Sequence, residues 1–98
     1  MLAVWVVEVA GLIVGMCLGG IDYYFSNWSQ FCVDGFNITP NLQGQGIGSK
    51  LSRHVADLLK KDEINRMFLI TGLSQAVEFY EKNKFTKSDD GTMMVLDL

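Results

Sequence analysis

The sequence predicts an α/β (α+β) fold with the element order β-β-β-α-β-α-β-β, and three patterns carry this prediction. The first 39 residues are rich in the β-branched and aromatic residues that strands favour. After Pro40, apolar residues recur at the spacing of one face of an amphipathic helix. Beyond that helix, short apolar runs and a second helical segment alternate with turn residues. A chain of 98 residues has room for one core, so we expect a single domain over residues 1–98.

Three strands are predicted in the first half of the chain. The first two are joined by Ala10-Gly11, a two-residue hairpin connection in which Gly11 can adopt a positive φ. Both are apolar on both faces, as central strands are. The third follows an aromatic and polar connection over residues 22–29. The predicted strands lie at residues 2–9, 12–18 and 30–39.

Two helices and three strands are predicted in the second half. The first helix ends near Lys61, and the second has Ser74 as its N-cap and ends near Asn83. The predicted strands lie at residues 66–71, 85–87 and 92–98. The apolar face of the first helix consists of Ile47, Leu51, Val55, Leu58 and Leu59.

Charge and cysteine content exclude several classes of function. Eight Lys and Arg residues against eleven Asp and Glu residues give a net charge of −3, so we expect no nucleic-acid partner. The two cysteines, Cys17 and Cys32, are too few to form a metal cluster, and we expect no metal site. No secretion signal is recognised, which favours reduced, buried thiols and a cytoplasmic location.

Residues 1–21 form an apolar run interrupted only by Glu8, which is long enough to raise the alternative of a transmembrane helix. Four glycines, many β-branched residues, a central carboxylate and the lack of flanking Lys or Arg all oppose it. Two strands are the better interpretation, and we expect no membrane partner.

A glycine-rich turn precedes the first predicted helix. Gly44, Gly46 and Gly48 lie within five residues, so the backbone can turn tightly and approach a ligand. The unpaired amides of the first helical turn favour a phosphate group there. Such a turn is also common as a plain connection, and the glycines alone leave both interpretations open.

Two blocks of sequence resemble motifs of the GCN5-related N-acetyltransferase (GNAT) family. Residues 43–48, Gln-Gly-Gln-Gly-Ile-Gly, match the family signature Gln/Arg-x-x-Gly-x-Gly/Ala. Residues 76–85 are similar to its later motif, in which an alanine precedes a Phe-Tyr pair; Lys84 replaces the customary glycine. The resemblance implies a mixed, mostly antiparallel sheet with two helices. It also implies transfer of an acetyl group from acetyl-CoA to a primary amine of a small molecule or peptide.

The resemblance also implies which residues form the site. A backbone amide of Phe36 or Ile38 would stabilise the oxyanion, and Tyr80 would protonate the departing thiolate. From its pattern alone, Tyr80 is better interpreted as a core aromatic residue, and the motif reverses this preference. The cofactor-binding residues implied are Phe36, Ile38, Gln43, Gly44, Gln45, Gly46, Ile47, Gly48 and Ser49.

The general base is less well defined. Asp34 lies two residues before Phe36 and is predicted on the same strand face, which makes it a candidate base; a solvent-facing carboxylate is the alternative. The strand and two helices that begin the family domain are not found before Met1, so we expect an N-terminally truncated member. An uncovered first strand predicts a homodimer through the N-terminal hairpin. A non-catalytic domain for acetyl-CoA binding or assembly is the alternative function.

Overall fold

The apolar first half of the chain forms three antiparallel strands, and a fourth strand joins them in parallel in the order β1-β2-β3-β4. The computed structural model describes residues 1–24 and 27–98. Phe25 and Ser26, in the predicted aromatic connection, lie outside the described residues. The strands are β1 (Leu2–Val9), β2 (Leu12–Tyr23), β3 (Ser29–Ile38) and β4 (Arg66–Phe68), and the α-helices are α1 (Ile47–Lys61) and α2 (Ser74–Lys82).

The first hairpin is the one predicted. Ala10 and Gly11 both have positive φ angles, 51° and 80°, as the tight turn between two twisted strands requires. The bounds of β1 are also those predicted. In the described residues β1 pairs with β2 alone and forms an edge of the sheet, as expected for the uncovered first strand, although its two apolar faces are typical of a central strand.

Strand β2 continues past its predicted end at Leu18 to Tyr23. Gly19 and Gly20, which follow the predicted end, lie inside the strand. Gly19 is opposite Val33, and a Cβ atom there would overlap the carbonyl oxygen of Cys32 and the ring of Phe31. Glycine is therefore required at this position, because the ring of Phe31 packs where a side chain would lie.

Helix α1 covers one face of the sheet with the predicted apolar stripe. Leu51, Val55 and Leu59 are buried at intervals of four residues, and the helix ends at Lys61 as predicted. They pack with Phe31 and Cys17, both fully buried. Burial of a side chain the size of Phe31 or Val55 contributes about 1.5–3 kcal/mol to folding. The free energy of folding therefore comes largely from this single helix-on-sheet layer.

The thiols differ in their surroundings. Cys17 is fully buried, and burial raises its pKa to about 11. Cys32 is only half-buried, so its predicted burial is partly wrong. Both cysteines are free thiols. The cytoplasmic location predicted from them stays a prediction.

A β-bulge interrupts β3. Leu18 pairs with Gly35 and Gly19 pairs with Val33, so Asp34 is an extra residue on β3. The bulge reverses the alternation of side chains: Phe31 and Val33 pack against the core before it, and Phe36 and Ile38 after it. Without the bulge, the last two would lie on the opposite face.

The C-terminal part of the predicted sheet does not form. Strand β4 has three residues where six were predicted, and the described residues 83–98 contain no strand. The alternation of residues 92–98 indicated extended backbone, but it carried no information on a pairing partner. The apolar side chains of this segment are largely exposed: Met93, Met94, Val95, Leu96 and Leu98.

Helix α2 begins without a side-chain cap, whereas at its other end the Nδ2 atom of Asn83 donates to the carbonyl of Phe79 at 2.8 Å. The predicted N-cap, Ser74, is instead the first helical residue. The N-cap is Leu73. At its other end Lys84 has a φ of 76°, a left-handed conformation that favours glycine. The amide of Phe85 there donates to the carbonyl of Tyr80 at 3.0 Å. Lys84 therefore holds the helix end at a conformational cost of about 1 kcal/mol.

The transmembrane alternative for residues 1–21 is replaced by strands β1 and β2. Within residues 1–24 and 27–98, neither helix has the length and apolar content needed to cross a bilayer.

Gly19→Ala is expected to lower the free energy of unfolding by about 1–3 kcal/mol, because the new methyl group must displace Phe31 or the backbone of Cys32. Gly20→Ala is the matched control, since a Cβ there meets no atom within 4 Å. Its stability should be unchanged or slightly higher. Urea titrations of the two variants measure the difference. Equal stabilities would show that Gly19 is not needed for close packing.

Candidate functional site

The turn before α1 presents free backbone amides. Gly46 is the N-cap of α1 with a φ of 81° and no side chain caps the helix there. The first helical hydrogen bond is donated by Lys50 to the carbonyl of Gly46 at 3.1 Å. The amides of Ile47, Gly48 and Ser49 consequently have no partner within the helix. Together with the positive end of the helix dipole, they form a place where an anion is stabilised.

The glycines of this turn are needed for different reasons. Gly44 and Gly46 have φ angles of 82° and 81°, which disfavour other residues. The φ angle of Gly48 lies outside that left-handed region, but a Cβ there would lie 3.2 Å from the ring of Phe79 and 3.7 Å from Ile38. Gly48 therefore allows α2 and the end of β3 to approach the start of α1.

A gap opens between β3 and β4 next to this turn. The last pair of the parallel ladder is Cys32 with Phe68, and in the described residues β3 continues to Ile38 with β2 as its one strand partner. The amide of Thr39 donates to the carbonyl of Val14 at 2.7 Å, towards β2. Because successive residues of a strand present their amides to opposite edges, those of Phe36 and Ile38 face the gap. The two predicted oxyanion residues thus lie on its edge.

The side chain of Gln43 binds the last residue of β3 on the edge that faces the gap. Its Nε2 atom donates to the carbonyl oxygen of Ile38 at 2.9 Å. This hydrogen bond joins the glycine-rich turn directly to the last residue of β3. The sequence analysis assigned Gln43 through its motif alone and missed this contact. The short separation of five residues across Pro40 is the only signal of it in the sequence.

Tyr80 lies in a cluster of aromatic rings at the same end of the sheet. Its ring centroid is 6.1 Å from that of Phe36 and 5.1 Å from those of Phe79 and Phe85. Burial, with a smaller effect from Cys17, raises the pKa of the Tyr80 hydroxyl above 10.0. In the described part of the chain no hydrogen bond engages this hydroxyl. Tyr80 is therefore protonated at neutral pH, with its proton free for donation.

Asp34 does not lie where the sequence analysis predicted. The bulge turns Asp34 and Gly35 to the face opposite Phe36, where Gly35 is opposite Leu18. Asp34 instead accepts a hydrogen bond from the Cys32 thiol at 3.6 Å. Burial raises the pKa of Cys32, and the negative charges of Asp34 and Asp22 raise it further. The premise that Asp34 shares a face with Phe36 is wrong, because strand alternation is reversed between them.

The structure thus brings the predicted residues together on one side of the sheet, Asp34 excepted. Phe79 and Ile38 both border the space that a Cβ atom at Gly48 would occupy, which places the free amides of α1 beside the gap edge and the aromatic cluster. Phe79, recognised in the sequence as part of the Phe-Tyr pair of the later motif but not as a site residue, fills the space left by Gly48. The residues gathered at this end are Phe36, Ile38, Gln43, Gly44, Gln45, Gly46, Ile47, Gly48, Ser49 and Tyr80.

Solved structures with the same fold were found. An aminoglycoside acetyltransferase from an uncultured soil metagenomic sample, in complex with sisomicin, superposes with a TM-score of 0.85 at 21% identity, covering 99% of this chain and 66% of that one. Glucosamine-6-phosphate N-acetyltransferase from Arabidopsis thaliana gives a TM-score of 0.80 at 18% identity, covering 98% and 67%. A predicted acetyltransferase with acetyl-CoA from Clostridium acetobutylicum gives 0.79 at 16% identity, covering 96% and 64%. The chain thus spans about two thirds of the length of these proteins.

No curated protein matches the sequence. The acetyltransferase (GNAT) domain family matches residues 2–87, which include all four strands and both helices. The mixed, mostly antiparallel sheet with two helices predicted from the resemblance is confirmed. The chain therefore belongs to the GNAT acetyltransferase family.

Proposed function

We propose that the chain catalyses acetyl transfer from acetyl-CoA to a primary amine of a small molecule or peptide. The observation that carries the proposal is the meeting, at one end of the gap, of the free amides of α1, the gap-facing amides of β3 and the protonated Tyr80. Membership of the GNAT family supports the same chemistry. Each of these groups interacts with a different part of a thioester coenzyme.

Acetyl-CoA would bind with its pyrophosphate on the amides of Ile47, Gly48 and Ser49 and the turn before them. These backbone amides would donate hydrogen bonds to the phosphate oxygens, and this interaction needs no particular side chain. Ile38 lies 3.7 Å from the place of a Cβ atom at Gly48, so the end of the strand edge is next to the proposed phosphate site. The arm of the coenzyme would then follow β3 along the gap, with its thioester beside Phe36 and Ile38.

The reaction follows from these positions. The lone pair of a neutral amine attacks the thioester carbonyl carbon, and the amide of Phe36 or Ile38 stabilises the oxyanion that forms. As the tetrahedral intermediate collapses, the C–S bond breaks and the new C–N bond remains. The Tyr80 hydroxyl donates its proton to the departing thiolate. The attacking nitrogen loses its extra proton to water, and Tyr80 is reprotonated from solvent.

The acceptor would approach from the face opposite α1. Asp34 and Asp22 lie on that face, and their combined negative potential is already felt by the half-buried Cys32. Residues 1–49 contain no Lys or Arg to oppose it. This potential attracts cationic amines. The similar fold solved with the aminoglycoside sisomicin supports an amine acceptor.

Tyr80→Phe is expected to lower kcat by about 10² to 10⁴, the usual contribution of a positioned general acid. Release of free coenzyme A with a panel of primary amines measures turnover. Burial raises the pKa of Tyr80, so wild-type kcat should fall only above pH 10, where the acid form is lost, and the variant should not show this fall. Coenzyme affinity should change little, since the ring and its packing remain.

Tyr23→Phe is the control for this experiment, because Tyr23 is an exposed residue at the far end of β2. It should retain wild-type kcat. If Tyr80→Phe retains the wild-type kcat, Tyr80 is a core aromatic residue and not the general acid. Coenzyme binding by the wild type without amine-dependent release would instead favour the non-catalytic binding or assembly domain.

Gly46→Val is expected to weaken coenzyme A binding at least tenfold, about 1.4 kcal/mol. A β-branched residue opposes the φ of 81° that directs the turn and its amides towards the phosphate site. Gly91→Val is the control, because Gly91 is exposed and outside the left-handed region. Calorimetry measures both. Unchanged affinity in a folded Gly46→Val would mean that the turn is a plain connection.

A homodimer through β1 is the assembly we propose. The outer edge of β1 has no strand partner in the described residues, and Val4 and Val6 are each 49% exposed. Antiparallel pairing with β1 of a second copy would satisfy the N–H and C=O groups that this eight-residue strand directs away from β2. Light scattering should give the dimer mass for the wild type and the monomer mass for Val6→Lys, with Leu98→Lys as a dimeric control. A monomeric wild type at high concentration contradicts the proposal.

A further inference from the structure

The contact between Gln43 and Ile38 spans the join between the turn and the strand. Between them lies the 3-10 turn Pro40–Leu42, which has a backbone hydrogen bond at each end. Leu42 donates to the carbonyl of Thr39 at 2.9 Å, and the amide of Gln43 donates to that of Pro40 at 3.3 Å. The side chain of Gln43 then returns past this turn to Ile38 at 2.9 Å. A single side chain therefore ties both ends of the connection together.

The bonded carbonyl lies on the edge that faces the gap. The N–H and C=O groups of one strand residue share an edge, and the amide of Ile38 is one of the two that face the gap. Ile38 is the last residue of β3, and β4 has already ended its pairing at Cys32. On this edge Gln43 takes the place of the missing neighbouring strand.

We propose that Gln43 is a positioning residue for acetyl transfer, which holds the oxyanion end of β3 at a fixed distance from the phosphate-binding turn. This inference rests on the proposed function. An oxyanion donor stabilises the transition state only when it lies about 2.7–3.1 Å from the developing charge. The pyrophosphate end of the coenzyme is held by the backbone of the turn, while the thioester end depends on β3. The Gln43–Ile38 bond makes these two ends one rigid unit.

The turn binds the coenzyme, and the end of β3 positions the oxyanion donor. Loss of the Gln43–Ile38 bond should therefore affect binding and turnover differently. Loss of the bond leaves the amides of Ile47, Gly48 and Ser49 in place, so the coenzyme should bind with little change in affinity. The end of β3 becomes free to move relative to the bound thioester. The loss should therefore appear in kcat rather than in coenzyme binding.

Gln43→Met tests the proposal, because methionine is similar in length and neutral but has no N–H donor. We expect kcat to fall about tenfold, less than the loss of an oxyanion donor itself, and the Kd of coenzyme A to stay within about threefold. Asn41→Leu is the control in the same turn. Asn41 is exposed and its side chain makes no hydrogen bond in the described part of the chain, so both constants should be unchanged.

Amide hydrogen exchange of the ligand-free chain gives a second measurement that does not depend on activity. The amide of Thr39, bonded to Val14, should exchange faster in Gln43→Met than in the wild type or Asn41→Leu. Unchanged exchange at Thr39 would overturn the proposed coupling. Unchanged kcat, or a change confined to coenzyme affinity, would overturn the positioning role. Absence of turnover in the wild type would contradict the proposed function, and exchange would still decide whether Gln43 fixes the end of β3.

Discussion

The parting of β3 from β4 beyond Cys32 is the constraint on which the candidate site depends. A fully paired strand would use the amides of Phe36 and Ile38 in its ladder and leave nothing for a ligand. Because the parallel ladder stops after three residues, those amides face a gap. The same parting leaves room for α2 to bring Phe79 and Tyr80 against Phe36. Incomplete pairing of the sheet thus leaves these amides free at the candidate site.

Packing around Gly48 connects the two helices to that gap. The ring of Phe79 occupies the space that a side chain at Gly48 would fill, and Ile38 contacts the same position from the sheet. Three separate elements therefore meet at one residue without a side chain. Tyr80, adjacent to Phe79 on α2, is half-buried among aromatic rings as a result of this packing. The elevated pKa of its hydroxyl follows from this burial more than from any charged neighbour.

Local patterns predicted the local parts of the fold. The hairpin at Ala10-Gly11, the bounds of β1 and the buried face of α1 depend on residues close in sequence, and all were predicted correctly. The C-terminal strands were wrong, because alternation predicts extended backbone and says nothing of a partner. Among site residues, the turn at 43–48 was recognised by its glycines and motif. The side-chain bond of Gln43 depends on the path of the chain after Pro40, which no periodicity reports.

Asp34 shows what strand periodicity could not predict about the candidate site. Its placement beside Phe36 followed from a period of two residues, and a bulge changes that period without any distinctive residue except the neighbouring Gly35. Gly19, opposite the bulge, lies just beyond the predicted end of its strand. A Cβ atom there would overlap the ring of Phe31, which is a tertiary constraint that strand periodicity does not report. Sequence alone therefore assigned the strand and misassigned one of its faces.

The bulge also makes the number of residues in β3 matter more than the identity of the extra one. Substitution of the Asp34 side chain would leave the backbone path intact. Deletion of the same residue would restore regular alternation and rotate either the segment before it or the segment after it by half a turn. In one outcome Phe36 and Ile38 would leave the core face, and in the other Phe31 would. Over the course of evolution, β3 should thus accept many changes of residue type here and very few changes of residue number.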